Sequence, residues 1–150
     1  MDLPYSAAMT DDTLRSVQLT RLEKGRFQAT NARGATLVLT SGTSGEEQFT
    51  PVELLLTAIA GCSALDVDAI TSKRAEPLRF EVSMTGDKIR DEQGNRLVNL
   101  VLALDVEFAD DEGGGAASEV LPRAAQQSHD RLCTVSRTVM VGTPIETRVG

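Results

Sequence analysis

Residues 50–70 read TPVELLLTAIAGCSALDVDAI, and this stretch decides how the rest of the chain is organised. Thr50 can cap a helix, the proline that follows suits the first helical position, and Glu53 stands where a capping box places a carboxylate. Apolar residues surround the first two turns on every side, so no face is left for water. The stretch therefore predicts one long central helix that is buried in the core.

The composition is that of an ordinary globular domain. The chain has 150 residues, of which 41% are hydrophobic and 25% charged, and this suits a single domain over residues 1–150. A net charge of -7 argues against nucleic acid and anionic membranes as partners, because clustered Lys and Arg bind both. The N-terminus lacks a basic segment followed by an apolar run, and no segment reaches the roughly 18 apolar residues of a membrane span. We therefore expect a cytoplasmic protein whose residues 1–12 are flexible or form an arm on a partner.

Alternating apolar residues predict antiparallel sheets before and after the central helix. The period of two that is typical of strands occurs in five runs, residues 14–22, 25–30, 35–40, 78–85 and 98–108. A polar hairpin loop is expected at 87–96 and a solvated break at 110–115. A second helix should run from Ser118 or Pro122 to Leu132, before a final strand at 145–149. This order predicts an α+β fold.

Cys62 and Cys133 are the two cysteines of the chain. A structural disulfide is disfavoured in a reducing compartment, so they are either inert core residues or working thiols. The small residues around Cys62 would let a ligand or another backbone approach its thiol. With no CxxC pair and a single histidine, the chain has too few soft ligands for a zinc or iron-sulfur site within one subunit, and we expect no metal.

Asp66 lies four residues after Cys62 and therefore on the same helical face. A carboxylate there would raise the pKa of the thiol unless an arginine satisfied both groups. The candidates for such an arginine lie in the N-terminal strands: Arg21, Arg26 and Arg33. Glu53 is a candidate catalytic carboxylate, but its capping role accounts for it.

The tripeptide Ser128-His129-Asp130 has the residue types of a catalytic triad. Consecutive helical residues point about 100° apart, so the three cannot form a hydrogen-bonded relay among themselves. His129 is expected to be a surface residue.

Two motifs together carry a resemblance to a known family. The matching residues are TPVELLL (50–56), AGC (60–62), CTVS (133–136) and the pair Pro144-Ile145. From about Gly25 to Val149, the chain resembles the OsmC/Ohr family of thiol peroxidase-like proteins. The form GCSA-x-DV at 61–67 resembles a less characterised OsmC-like branch more than the proven peroxidases.

The resemblance implies an intertwined α+β homodimer, with sheets from both chains around two long central helices and active sites at the subunit interface. It also implies that Cys62 is the peroxidatic cysteine, which reduces an organic hydroperoxide, and that Cys133 resolves the resulting sulfenic acid as a disulfide. An external dithiol of the dihydrolipoyl type would then reduce this disulfide, without a bound cofactor.

One position departs from the family pattern. In the peroxidases a glutamate ten residues before the reactive cysteine holds an arginine against the thiolate, whereas this chain has Val52 there. Glu53 follows one place later, about 100° around the helix. The candidates to replace this supporting pair are Arg21, Arg26, Glu46 and Glu47.

Three functional hypotheses follow. The first is a cysteine-dependent reductase of organic hydroperoxides. The second is an OsmC-like protein that binds an apolar or acyl ligand at the dimer interface without turnover, as Val52 and the leucine-rich first turns suggest. The third is a redox sensor whose two cysteines oxidise without catalysis.

Overall fold

The structure, a computed structural model, describes residues 13–43 and 45–150, and the prediction for residues 1–12 lies outside these ranges. Two compact units are present, one that ends at Glu53 and one that comprises Leu54–Gly150. The expectation of a single domain stays a prediction. The elements in chain order are β1 (Val17–Glu23), β2 (Arg26–Asn31), β3 (Thr36–Thr40), α1 (Pro51–Thr71), β4 (Arg79–Asp91), β5 (Gly94–Glu107), α2 (Glu112–Gln127), a π-helical turn (Ser128–Leu132) and α3 (Thr134–Val141).

The first unit contains an antiparallel sheet with the strand order β1-β2-β3. The chain turns between β2 and β3 because the Asn31 side chain accepts hydrogen bonds from the backbone N–H groups of Arg33 and Ala35, and Gly34 takes a φ of 94°. Every residue of β1 is exposed, so this strand packs no side chain into a core within the single chain. The three predicted N-terminal strands are confirmed.

The capping box at the start of α1 is also confirmed. The Glu53 carboxylate accepts a hydrogen bond of 2.9 Å from the Thr50 backbone nitrogen, and the Thr50 hydroxyl accepts one of 3.2 Å from the Glu53 nitrogen. These reciprocal bonds satisfy N–H groups that the first helical turn leaves without a partner. Local chemistry at this boundary therefore determines where the helix begins.

The prediction that α1 is buried on all sides is wrong for the single chain. Its fully buried residues form a stripe at every fourth position, namely Ile59, Ser63, Val67 and Thr71. The opposite side is open, and Leu65 is 73% exposed. Helical periodicity explains the stripe, since residues four apart lie on one face.

Contrary to expectation, α1 is long and apolar enough to cross a membrane by length and composition alone. It has 21 residues, and 22% of its most apolar stretch of 18 residues is buried. The core helix of a soluble protein passes the same test. Asp66 and Asp68 lie in this helix, and a charged residue at the centre of a bilayer costs about 3 kcal/mol.

The second unit contains the long antiparallel hairpin of β4 and β5. The predicted pairing is confirmed, but the predicted loop at 87–96 is wrong. Both strands continue through it, with Asp91 paired opposite Gly94. The ladder is irregular between Thr85 and Asp87, and Asn99 adopts a φ of 55° while its side-chain amide donates to the Asp87 carboxylate at 2.9 Å.

The helix α2 begins inside the predicted break at 110–115, which corrects that prediction. Asp111 caps it, because its side chain accepts a hydrogen bond of 2.7 Å from the Gly114 nitrogen. Pro122 lies within this helix, and the π-helical turn follows at Ser128. Residues 143–150 form neither helix nor strand, so the predicted final strand at 145–149 is also wrong.

The core of the second unit lies where α1 meets the C-terminal helices. Its buried apolar residues are Ile59, Val67, Ala117, Ala124 and Cys133. Buried hydroxyl groups of Ser63, Thr71 and Ser128 lie among them. The packing of α1 against the π-helical turn and the start of α3 places both cysteines in one region.

Candidate functional site

The second unit brings Cys62, Asp66 and Cys133 together. Both sulfur atoms and one carboxylate oxygen of Asp66 lie within 4.8 Å of one another. One helical turn of α1 separates Cys62 from Asp66, and Cys133 arrives from the segment between α2 and α3. The two predicted catalytic cysteines are therefore neighbours, and both are free thiols in this structure.

Cys133 is built into the start of α3. It is the N-cap residue, with an extended backbone at φ -75° and ψ 99°, and it is fully buried. Its Sγ accepts a hydrogen bond of 3.3 Å from the Ser136 nitrogen and lies 3.1 Å from the Ser136 hydroxyl. The sulfur thus takes the position that a serine or aspartate oxygen usually holds at a helix start.

These surroundings favour the charged form of Cys133. Burial alone would raise the pKa of its thiol, but hydrogen bonds with the Ser136 side chain, with Cys62, with the Ser136 backbone N–H and with Ser63 outweigh burial. The pKa of Cys133 therefore lies below its ordinary value.

The surroundings of Cys62 act in the opposite direction. Burial raises the pKa of its thiol, and Cys133 and Asp66 raise it further, while the backbone N–H of Val135 partly offsets them. The effect expected of Asp66 from the sequence is confirmed. Cys62 is half-buried, whereas Cys133 has no exposed surface, so Cys62 is the more accessible of the two residues.

The Asp66 carboxylate is held in place by a residue distant in sequence. The buried Ser128 hydroxyl donates a hydrogen bond of 2.8 Å to Asp66 Oδ2. The backbone carbonyl of the same serine accepts a bond of 2.9 Å from the Cys133 nitrogen. Ser128 therefore orients both the carboxylate and the second cysteine.

The triad interpretation of Ser128-His129-Asp130 fails, as expected. His129 Nδ1 does lie 3.0 Å from the Asp130 carboxylate, and Gln126 also donates to that carboxylate. The Ser128 hydroxyl is directed to Asp66 instead. His129 is exposed, which confirms the prediction for that residue.

The predicted thiolate-supporting residues belong to the unit that ends at Glu53. Arg21 lies in β1 opposite Phe27, and Arg26 is the first residue of β2. Glu47 is exposed in the loop before α1, and Glu53 forms the capping box. Among the described groups, no arginine is one of the main influences on the pKa of Cys62. Support of Cys62 by these four residues stays a prediction.

A cavity of about 470 Å³ reaches the cysteine site through two serines, while neither cysteine lines its wall. Ser63 and Ser136, which both hydrogen-bond Cys133, contribute to its wall. Most of the remaining wall is apolar and includes Met84, Leu102, Leu104, Pro122, Val139 and Met140. An elongated apolar molecule with one reactive polar end fits this combination.

The donor groups at the site could also bind a thiophilic metal ion. The described residues supply two sulfurs and one carboxylate here, one protein ligand fewer than a closed tetrahedral zinc site has. The expectation of no metal stays a prediction.

Sequence reasoning identified the pair of cysteines and the position of Asp66, but it missed the roles of Ser128 and Ser136. Ser136 could have been found from the spacing in CTVS, because an N-cap side chain bonds the backbone three residues later. No local signal links Ser128 to Asp66, since 62 residues separate them.

The family model described as OsmC-like protein matches residues 43–148. The chain is 29% identical over 125 residues to the uncharacterized protein Mb2948c of Mycobacterium bovis, and the aligned region covers 83% of this chain and 88% of that protein. It is 31% identical over 100 residues to the protein YhfA of Escherichia coli K12, and the aligned region covers 66% of this chain and 70% of that protein.

Solved structures share the fold. A hypothetical protein from Aquifex aeolicus is 20% identical with a TM-score of 0.69, and covers 89% of this chain and 92% of its own. The organic hydroperoxide resistance protein OhrB of Bacillus subtilis is 14% identical with a TM-score of 0.56, and covers 83% of this chain and 90% of its own. At these identities the likeness concerns the α+β fold alone.

Proposed function

Because this chain belongs to the OsmC-like protein family, we propose that it is a cysteine-dependent reductase of organic hydroperoxides. The observation that carries the proposal is the approach of the Cys62 and Cys133 sulfurs to within 4.8 Å of each other. An apolar cavity whose wall includes Ser63 and Ser136 lies near Cys133 and supports it. A structural neighbour is named an organic hydroperoxide resistance protein, which agrees with this chemistry.

Cys62 is the peroxidatic residue in this proposal. The sulfur of this half-buried residue attacks the terminal oxygen of the hydroperoxide, the O–O bond breaks, an alcohol leaves and Cys62 becomes a sulfenic acid. Cys133 then attacks the sulfenic sulfur, a disulfide forms and water leaves. The lowered pKa of Cys133 suits this second step, because the attacking species is a thiolate.

The cycle closes with an external reductant. A dithiol of the dihydrolipoyl type donates two electrons to the Cys62–Cys133 disulfide and itself becomes a cyclic disulfide. This exchange requires no cofactor bound to the protein.

The wall of the cavity suggests the substrate class. Its side chains are mainly apolar, so burial of a hydrocarbon group is favourable, at about 25 cal/mol for each Å² removed from water. Hydrogen peroxide has no such group. The proposed substrates are therefore organic hydroperoxides with an alkyl, aryl or acyl tail.

We also propose that the protein acts as a cytoplasmic homodimer, without a membrane or nucleic acid partner. Large apolar side chains on α1 and β1 are open in the single chain, among them Leu65 at 73% and Leu19 at 50% exposure. Exposed apolar side chains of this size on each of the two elements are what a subunit interface would cover. In the dimer, we propose that Arg21, Arg26 or Glu47 of one chain supports the Cys62 thiolate of the other.

The decisive test measures hydroperoxide consumption by the reduced protein. With cumene hydroperoxide and dihydrolipoamide, the wild type should turn over continuously and prefer cumene hydroperoxide to hydrogen peroxide. Failure of the wild type to exceed a Cys62→Ser control would refute the proposal.

A second candidate is an apolar-ligand carrier without turnover, and the size and lining of the cavity favour it. In that case fatty acids should raise the melting temperature of wild type and Cys62→Ser equally, and native mass spectrometry should show the bound acid.

A third candidate, the redox sensor, is favoured by the proximity of the two sulfurs alone. It would show a disulfide that forms once and is not recycled by dihydrolipoamide.

A further inference from the structure

Three groups at the site have the arrangement of a nucleophile, a base and an orienting residue. The Asp66 carboxylate approaches the Cys62 sulfur to within 4.8 Å from one turn further along α1. Ser128 donates to Oδ2 of this carboxylate at 2.8 Å. The approach of Asp66 to Cys62 is longer than a hydrogen bond, and the hydrogen bond between a nucleophile and its base is often long in a structure without substrate.

Ser128 is well placed for an orienting role. Its side chain is buried and Asp66 is half-buried, so their hydrogen bond is partly shielded from bulk water. It is also the first residue of the π-helical turn, and its carbonyl accepts the Cys133 nitrogen in a bond between residues five apart. One residue therefore fixes the carboxylate relative to both sulfurs.

The surroundings of Cys62 create a difficulty for it at rest. Burial raises the pKa of its thiol most, Cys133 raises it further, and the Asp66 carboxylate adds to both because a negative charge disfavours a thiolate. The resting residue is thus a neutral thiol, a weak nucleophile. A base that removes the proton during the attack would resolve the difficulty.

We infer that Asp66 is the general base of the Cys62 reaction and that Ser128 is its positioning residue. The inference rests on the proposed hydroperoxide reductase function. It assigns the activation of Cys62 to a residue one helical turn away on α1.

The step balances without a further reactant. The Cys62 sulfur forms a bond with the terminal peroxide oxygen, which keeps its hydrogen, as the O–O bond breaks. The thiol proton passes to the Asp66 carboxylate and from there to the leaving oxygen, which departs as the alcohol. Sulfur is oxidised by two electrons, the peroxide bond is reduced by two, and Asp66 returns to its starting charge.

The test compares two reactions of Cys62 in Asp66→Asn. The first is release of alcohol from cumene hydroperoxide in a single turnover without reductant, which should slow by about 100-fold, as general bases typically contribute that much or more. The second is alkylation of Cys62 by iodoacetamide at neutral pH, followed by peptide mass spectrometry. Alkylation consumes the thiolate and protonates no leaving group, so loss of the negative charge should make it faster.

Slower peroxide reduction together with faster alkylation distinguishes a general base from a residue with a structural role only. Asp66→Glu should restore part of the peroxide rate, and Ser128→Ala should lower it less than Asp66→Asn does. Asp68→Asn, an exposed acid two residues along α1, should change neither reaction. Far-UV circular dichroism checks that each variant folds.

Other outcomes overturn the inference in distinguishable ways. If Asp66→Asn reduces peroxide as fast as the wild type or faster, Asp66 is not the base and the reductase function stands. If both reactions of Cys62 slow equally, Asp66 has a structural role only. If wild type releases no more alcohol than Cys62→Ser, the reductase function itself fails, and the inference fails with it.

Discussion

Cys62 and Cys133 lie within 4.8 Å of each other, yet their surroundings differ in almost every respect. Cys133 has no exposed surface and receives several hydrogen bonds, which hold its pKa below the ordinary value. Cys62 is half-buried, and burial, Cys133 and Asp66 raise its pKa. One sulfur is accessible but protonated, and the other is inaccessible but poised to ionise. This difference suits a sequence of two reactions better than two equivalent thiols would.

Exchange of each cysteine for serine should have the largest effect and separate the two roles. Cys62→Ser removes the nucleophile, so turnover of cumene hydroperoxide should fall by roughly 10³-fold or more, in keeping with nucleophile losses in other covalent catalysts. Steady-state assays with dihydrolipoamide measure this.

Cys133→Ser is the matched variant. It should still release about one equivalent of alcohol per chain and then stall as a sulfenic acid, which dimedone traps on Cys62. Continued fast turnover in Cys133→Ser with dihydrolipoamide would contradict a resolving role for Cys133.

A smaller effect is expected from Ser136→Ala. The variant removes the hydroxyl beside Cys133 while the backbone nitrogen of that position remains, so the pKa of Cys133 should rise. Disulfide formation after Cys62 oxidation should slow about threefold to tenfold at neutral pH, followed by stopped-flow. Thr138→Ala is the control, because its hydroxyl bonds the Thr134 carbonyl within the same helix. Equal rates in both variants would show that Ser136 does not tune the sulfur.

The order of the two ionisations can be observed directly. In reduced wild type with ¹³C-labelled cysteine, the Cys133 signal should titrate at lower pH than the Cys62 signal. Between the two pKa values the protein should hold a Cys133 thiolate beside a Cys62 thiol. The reverse order would remove the basis for the division of labour.

The smallest effect should come from the cap of α1. Thr50→Ala removes the hydroxyl that accepts the Glu53 N–H, and should lower the free energy of unfolding by about 1 kcal/mol in urea titrations. The order of the cysteine signals should stay unchanged, since the substitution lies three turns from Cys62. A change in that order would mean that the thiol environments depend on the start of the helix.

Local features of this fold could be predicted from sequence, whereas features that depend on distant partners could not. The capping box needs only Thr50 and Glu53, and the shared face of Cys62 and Asp66 follows from helical spacing. The predicted final strand failed because a strand requires a neighbour to pair with, and residues 143–150 form no ladder in this chain.

Two stretches rich in glycine or polar residues belong to regular elements, although their composition predicts a break or a loop. Residues 110–115 are rich in glycine and acid, yet the Asp111 cap starts a helix within them. Residues 87–96 are polar, yet cross-strand pairing extends the hairpin through them. The contact of Ser128 with Asp66 depends on tertiary packing, which composition does not encode.

The π-helical turn at Ser128–Leu132 sets the rotational phase of everything that follows it. Each residue advances a regular helix by about 100°, so a chain one residue shorter here would direct position 133 away from α1. Deletion of an exposed residue of the turn, such as Arg131, should therefore uncouple the two sulfurs without altering either one. The number of residues between the two motifs therefore decides whether the Cys133 side chain faces Cys62.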